Sequence, residues 1–302
     1  MAEKKYLITI VGATAIGKTA LSIKLAQHFN TDIISCDSRQ FYKEMTIGTA
    51  VPEPKELAAA THHFIQNRSI HDDYNVGQYE KDTLEKLNQL FEKQNIIIMV
   101  GGSGLYVDAV LKGLDYFPEV DANIRKKLTQ QLESEGIEVL QQQLKELDIA
   151  TYNTIEIENP HRIMRALEIW IGTGTPYSTL KNKPKKPRDF NSIKVGLNAE
   201  RELIYNRINL RVDLMIKNGL IEEAKKLFEF KHLNALQTVG YRELFNYFEG
   251  NFTKDFAISE IKKNTRRFAK RQLTWFKRDT DTLWFDYLTD IHSIQKEIDS
   301  KL

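Results

Sequence analysis

The run Lys5-Tyr6-Leu7-Ile8-Thr9-Ile10-Val11 leads directly into Gly12-Ala13-Thr14-Ala15-Ile16-Gly17-Lys18-Thr19, and that octet leads into Ala20 to Phe29. The first segment is β-branched and apolar enough to be a buried strand. The last carries Leu21, Leu25 and Phe29 on one helical face. The octet between them satisfies the phosphate-loop spacing G-x-x-x-x-G-K-[ST], in the strand–turn–helix context that gives the spacing meaning. Its glycines let successive backbone N–H groups converge on phosphate oxygens, and the free donors of the helix start add partial positive charge. Lys18 is expected to reach the terminal phosphate as a point charge, and the Thr19 hydroxyl to hold a Mg²⁺ ion. The chain is therefore expected to bind a polyphosphate on Gly12 to Thr19. A glycine turn without a ligand is the alternative, and the flanking elements weigh against it.

Other features bound the class. A chain of 302 residues has room for one large domain or two small ones. The single cysteine, Cys36, excludes an internal disulfide and fits a reducing compartment. Lys4 and Lys5 before an apolar run, then Ala13-Thr14-Ala15, superficially resemble a signal peptide, but cleavage there would destroy the phosphate loop. No apolar run reaches the roughly 20 residues a membrane helix requires. The expectation is a soluble, cytoplasmic protein with no membrane partner.

Thr31 to Cys36 reads as a second buried strand ending in Asp37-Ser38-Arg39-Gln40. Ligands of parallel sheets sit beyond the carboxyl ends of strands, so Asp37 falls on the edge that carries the phosphate loop. Phe41 to Val51 reads as an irregular loop, too long for a passive connection. The pair His62-His63 lacks further ligands at metal-binding spacing, so a structural or hydrogen-bonding role is expected. Tyr79 to Phe91 reads as a helix, and Ile96 to Val100 as a strand buried on both faces. That strand ends in Gly101-Gly102-Ser103-Gly104, where an ATPase would usually place a magnesium-holding Asp. Glycines instead let something bulky approach the backbone.

From about Asp115 the strand patterns stop. Asp121 to Glu133, Ile137 to Leu147 and Pro160 to Ile171 read as helices, closed by the basic, proline-broken Lys181 to Arg188. Ile193 to Leu197 restores strand character. The expected organisation is a core of residues 1–114 and 191–302, with a helical insertion at 115–190. The fold class is α/β, a P-loop NTPase-like parallel sheet flanked by helices, with an all-helical insertion domain.

In the helix from Glu200 to Lys217, Arg207 and Arg211 lie four apart and share a face. Arg211, flanked by core residues, suits a two-donor grip on pyrophosphate oxygens. A long helix from Ser259 to Arg278 is basic from Lys262 onward and has no acid after Glu260. One-signed charge costs self-repulsion, so a polyanion is the economical partner, with a merely solvated face as the alternative. Phe268, Trp275 and Phe276 read as its buried stripe rather than a base-stacking platform. Thr282 to Asp286 reads as a last strand, followed by a weak helix from Asp290. Asp37 is the candidate general base; position alone leaves a capping or magnesium-orienting role equally open. Cys36, inside its strand beside Asp37, reads as packing.

These blocks together resemble the tRNA dimethylallyltransferases, which put a dimethylallyl group on N6 of adenosine 37 beside the anticodon. The resemblance rests on Gly12 to Thr19, Ser35 to Tyr42 with Met45 and Ile47-Gly48-Thr49-Ala50, and Val100 to Tyr106. It continues through Asn159-Pro160-His161-Arg162 with Arg165-Ala166-Leu167-Glu168, Arg211, Val239-Gly240-Tyr241-Arg242, and Arg266 to Trp275. Ser103 stands where the family mostly has threonine, which keeps the hydroxyl. The sequence lacks the Cys/His-rich zinc finger of eukaryotic relatives and so resembles the bacterial type.

The resemblance implies that the loop holds dimethylallyl diphosphate rather than ATP. It implies that Asp37 takes the proton of the attacking adenine amine, and that Lys18, Thr19 with Mg²⁺, Arg211 and Ser103 complete the catalytic set. It further implies that Asp37, Ser38, Arg39, Gln40, Ser103, Arg125, His161, Arg162, Ile163, Met164 and Arg165 contact the tRNA anticodon stem-loop, whose target base is flipped out. A monomer is expected. The rival readings are a small-molecule kinase, a prenyltransferase for free adenine nucleotides, and a non-enzymatic RNA-binding module.

Overall fold

The computed structural model describes residues 4–302, which form two compact units: 4–112 with Arg188–Leu302, and Gly113–Pro187. The first unit begins with β1 (Tyr6–Gly12), α1 (Lys18–Phe29), β2 (Ile33–Ser35), α2 (Pro54–Ala59), β3 (His62–His63), α3 (Val76–Leu90), β4 (Ile96–Val100) and α4 (Gly104–Lys112). The second unit contains α5 (Ala122–Glu135), α6 (Ile137–Leu147), α7 (Ile149–Tyr152), α8 (Pro160–Thr173) and α9 (Tyr177–Leu180). The first unit resumes with β5 (Asn191–Asn198), α10 (Arg201–Lys217), α11 (Leu220–Lys226), α12 (Tyr241–Phe248), α13 (Lys254–Phe276), β6 (Leu283–Asp286) and α14 (Ile291–Asp299). No helix among the described residues is long and apolar enough to cross a membrane.

The sheet is parallel throughout, in the order β3-β2-β4-β1-β5-β6. β1 is buried along its whole length, and its alternate residues feed two cores. Ile8 and Ile10 pack on one face with Leu25, Val195, Ile208 and Ile298; Leu7 and Val11 pack on the other with Ile34, Tyr79, Val107 and Phe276. A central strand covered on both faces needs a continuous apolar run, as β1 and β4 have. Since every crossover is parallel, β1, β2 and β4 all deliver their carboxyl ends to one edge. The phosphate loop, Asp37 and Ser103 leave the sheet there.

Several elements differ from the sequence expectation. The histidine pair has the expected hydrogen-bonding role but does so in an unexpected edge strand, in which His63 Nε2 bonds Asp32 at 2.8 Å and His62 Nδ1 bonds the Ala60 carbonyl at 2.8 Å. The basic helix starts at Lys254, five residues before the expected Ser259, because the Thr253 hydroxyl caps it by accepting the Phe256 N–H. Its buried line runs through Ile261, Ala269, Gln272 and Phe276. Phe268 therefore lies off that line and is 39% exposed, contrary to the expected stripe. The C-terminal helix is well anchored: Asp290 caps it, and Ile294 and Ile298 are buried.

Candidate active site

The phosphate loop's backbone requires a glycine at its first position. Gly12 has φ +144°, and a Cβ there would lie 2.6 Å from the Leu197 carbonyl oxygen. Ala15, at the crest, holds a left-handed φ of 64°, a conformation costly for a residue with a Cβ. Its carbonyl accepts the Arg207 Nε–H at 2.7 Å, so α10 fastens the crest in place. Arg207 thus buttresses the loop. Lys18, at the start of α1, donates to the Ala13 carbonyl at 2.8 Å.

Asp37 follows β2 by two residues. One carboxylate oxygen accepts the Arg39 N–H at 3.1 Å, a turn that sets the side chain's direction, and the Gln40 amide also favours the ionised form. Loss of surrounding water raises the Asp37 pKa above the usual carboxylate value, against the pull of the Arg39 amide and Lys18. Desolvation likewise lowers Lys18 to about 8; Asp37 opposes that shift and Arg211 adds to it. Ser103 accepts the Ser38 N–H at 3.1 Å and bonds its hydroxyl at 3.1 Å, tying the β2 and β4 ends together. The two ends can approach because residue 101 is glycine: a Cβ there would lie 2.3 Å from the Cys36 carbonyl oxygen. Cys36 itself is buried and its thiol pKa is pushed up by burial, which suits packing rather than nucleophilic chemistry.

Lys18, Thr19, Asp37, Ser103 and Arg211 all line one cavity of ≈ 1070 Å³. That volume is at the upper end for a small-molecule site, large enough for more than one ligand group. Arg211 has a lowered pKa, chiefly from desolvation and then from Arg207, as expected of a guanidinium lacking a full counter-charge. An anion of two or more charges would supply it.

Sequence reasoning missed some residues and misplaced others. Arg39 donates to the Asn234 and Ala235 carbonyls at 3.0 and 3.1 Å. Gln40 donates to the Thr49 and Ala50 carbonyls at 3.2 and 2.9 Å. Both side chains shape the wall and have these donors already engaged. Glu223, unnoticed in the sequence, accepts the amides of Thr46, Ile47 and Gly48 at 3.0, 2.8 and 2.9 Å, and the Tyr241 hydroxyl at 2.7 Å. This one carboxylate fixes the irregular loop that lines the cavity.

In the helical unit, Asn159 caps α8 and Pro160 opens it. His161, Arg162 and Arg125 are exposed. Arg125 and Arg165 share the Glu168 carboxylate at 3.2 and 3.0 Å, and Arg165 lies over the Phe117 ring. Ile163 and Met164 must be corrected as contact residues. They are 0% and 4% exposed, in the unit's core, because α8 turns that face inward.

The basic helix is also less free than its sequence suggests. Lys262 pairs with Asp213 at 2.6 Å, Lys263 with Glu260, and Arg266 with Asn209 at 2.7 Å. Arg267, Lys270 and Arg271 remain exposed.

Comparison with known proteins finds similar chains. The family model described as IPP transferase matches residues 40–279. A tRNA dimethylallyltransferase of Flavobacterium johnsoniae is 59% identical, over 99% of this chain and 100% of its own length. The crystal structure of a tRNA isopentenylpyrophosphate transferase from Bacillus halodurans superposes with a TM-score of 0.74 at 36% identity, covering 99% of this chain and 97% of its own. A eukaryotic dimethylallyltransferase acting on tRNA gives a TM-score of 0.79 at 26% identity, with 99% and 77% covered.

Proposed function

This chain belongs to the IPP transferase family, and we propose from that premise and the site's geometry that it is a tRNA dimethylallyltransferase. The reaction moves a dimethylallyl group from dimethylallyl diphosphate to N6 of adenosine 37 in tRNA and releases diphosphate. The observation that carries the mechanism is that Asp37 and Lys18 line one cavity and each shifts the other's protonation. A base and an anion site side by side are what prenyl transfer to an amine requires.

The amides of the loop, Lys18 and Arg211 hold the diphosphate. The adenine N6 lone pair attacks C1 of the prenyl group. The C1–O bond breaks, and its electron pair leaves on the diphosphate. The extra N6 proton passes to Asp37, whose thinned hydration makes it a stronger base than a carboxylate in water. Lys18 and Arg211 stabilise the charge that grows on the departing oxygen. The cavity is lined by oxygen donors suited to a hard cation, the Thr19 hydroxyl and the Asp37, Glu53 and Glu56 carboxylates, with the His62 imidazole as a nitrogen donor. Mg²⁺ takes such oxygen donors together with phosphate oxygens and water, so Thr19 is proposed as its protein ligand. When bound, the ion would neutralise charge on the diphosphate.

The exposed Arg125, His161 and Arg162, with Arg165, are proposed as RNA contacts of the helical unit, and Arg267, Lys270 and Arg271 as those of α13. Action as a monomer is proposed. A tRNA substrate supports a cytoplasmic location. Incubation with labelled dimethylallyl diphosphate and an anticodon stem-loop should yield labelled RNA that digests to N6-isopentenyladenosine. Labelling of AMP without RNA, or phosphorylation of an alcohol from ATP, would overturn the assignment.

Two further outcomes follow. The kcat/KM for the diphosphate should be bell-shaped in pH. As pH falls through the raised Asp37 pKa, the carboxyl keeps its proton and cannot accept another; as pH rises through about 8, Lys18 loses its charge and its grip. Lys18→Arg should move the alkaline limb upward, and a limb that stays in place would assign it to another group. For α13, Arg267→Glu with Lys270→Glu should weaken stem-loop binding and flatten log K against log[salt] by about 1 for each phosphate no longer neutralised. An unchanged salt slope would remove these two residues from the interface.

A further inference from the structure

Gln272 is only 6% exposed, yet it lies on the helix that carries the basic face. Its carboxamide oxygen accepts the N–H of Thr14, in the phosphate loop, at 2.9 Å. Its carboxamide nitrogen donates to the carbonyl of Gly102, in the turn after β4, at 2.9 Å. The side chain is seated directly on that turn: a Cβ at Gly102 would lie 2.2 Å from the Gln272 nitrogen. The next residue, Ser103, binds Ser38 beside Asp37. A single side chain thus bridges the diphosphate cradle and the turn tied to the general base.

The polarity of the bridge is specific. One end must accept from an amide and the other must donate to a carbonyl, which a carboxamide does and a carboxylate does not. A thioether of the same length would leave both backbone groups without that partner. The reaction as derived above gives Gln272 no substrate atom to touch. We infer that Gln272 is a positioning residue that fixes the spacing between the phosphate loop and the Gly102–Ser103 turn, and so sets the diphosphate at reacting distance from Asp37. This rests on reading the loop as the diphosphate site.

The test compares Gln272→Met and Gln272→Glu with the wild type, using inorganic pyrophosphate by calorimetry, steady-state kinetics, and stem-loop binding. Gln272→Met should raise the pyrophosphate Kd and the KM for dimethylallyl diphosphate at least about 10-fold, the size expected when buried backbone groups lose their partners. Stem-loop affinity should stay unchanged. Gln272→Glu should be worse in the first two measures, since it turns an anion toward the diphosphate and leaves the Gly102 carbonyl without a donor. Wild-type pyrophosphate affinity in Gln272→Met, or an equal loss of pyrophosphate and stem-loop binding, would overturn the inference. Failure of the wild type to bind pyrophosphate would overturn the reading of the loop itself. A measurement independent of any variant is amide exchange in the free wild-type protein. The Thr14 amide should already be protected before ligand is added, and an unprotected Thr14 amide would contradict the strut.

Discussion

Asp37→Asn should lower kcat for prenyl transfer by about 10²–10⁴-fold, the range a positioned general base contributes. The substitution keeps the size of the side chain, and the amide oxygen can still accept the Arg39 N–H seen at 3.1 Å. The turn should therefore hold, and affinity for the stem-loop and the diphosphate should change little. The loss falls on chemistry alone because asparagine cannot take the N6 proton. Single-turnover rates with the preformed enzyme–stem-loop complex separate this step from binding. A variant that turns over at the wild-type rate would reduce Asp37 to the capping role that its place after β2 also allows.

Lys18→Met should abolish tight diphosphate binding and lower kcat/KM by about 10²–10³-fold, the scale for removing one preorganised charge-stabilising donor. Folding should not suffer. In the unfolded chain Lys18 keeps its proton to its ordinary value of 10.5; in the folded chain it releases it near 8. The unfolded state therefore binds more protons between those values, and stability contributed by this group rises with pH across that window. At neutral pH the charged Lys18 is thus a cost to the fold, and Lys18→Met should melt no lower than the wild type while losing activity. A large drop in Tm with retained pyrophosphate binding would make Lys18 a structural residue. The combination expected here, lost function without lost stability, is typical of a group held in an unfavourable place for its chemistry.

The sheet and the loop were legible because their signals are local. β1 and β4 announce themselves by continuous apolar runs, and the octet from Gly12 carries its own spacing. Asp37 and Ser103 could be brought to one edge because a parallel sheet sends its strand ends there. Gln272, Glu223 and Arg207 were not legible, since their meaning lies in partners remote in sequence: Thr14, Gly48 and Ala15. Gln272 also sits among basic residues that attract the eye by charge. Phe268 was misplaced because aromatic residues at 268, 275 and 276 suit one helical stripe, whereas packing selected the line through Ala269, Gln272 and Phe276. Ile163 and Met164 fell into the expected RNA contacts by adjacency to His161, Arg162 and Arg165. On a helix, neighbours in sequence point to different faces, and these two belong to the core.

The most direct measurement is a crystal structure of the enzyme with a non-reactive thio analogue of dimethylallyl diphosphate and an anticodon stem-loop. The diphosphate should lie on the Gly12 to Thr19 loop, on amides other than that of Thr14, with an everted adenine whose N6 is within about 3 Å of the Asp37 carboxylate. An adenine that stays stacked, or one whose amine faces away from Asp37 with the diphosphate bound elsewhere in the cavity, would contradict it.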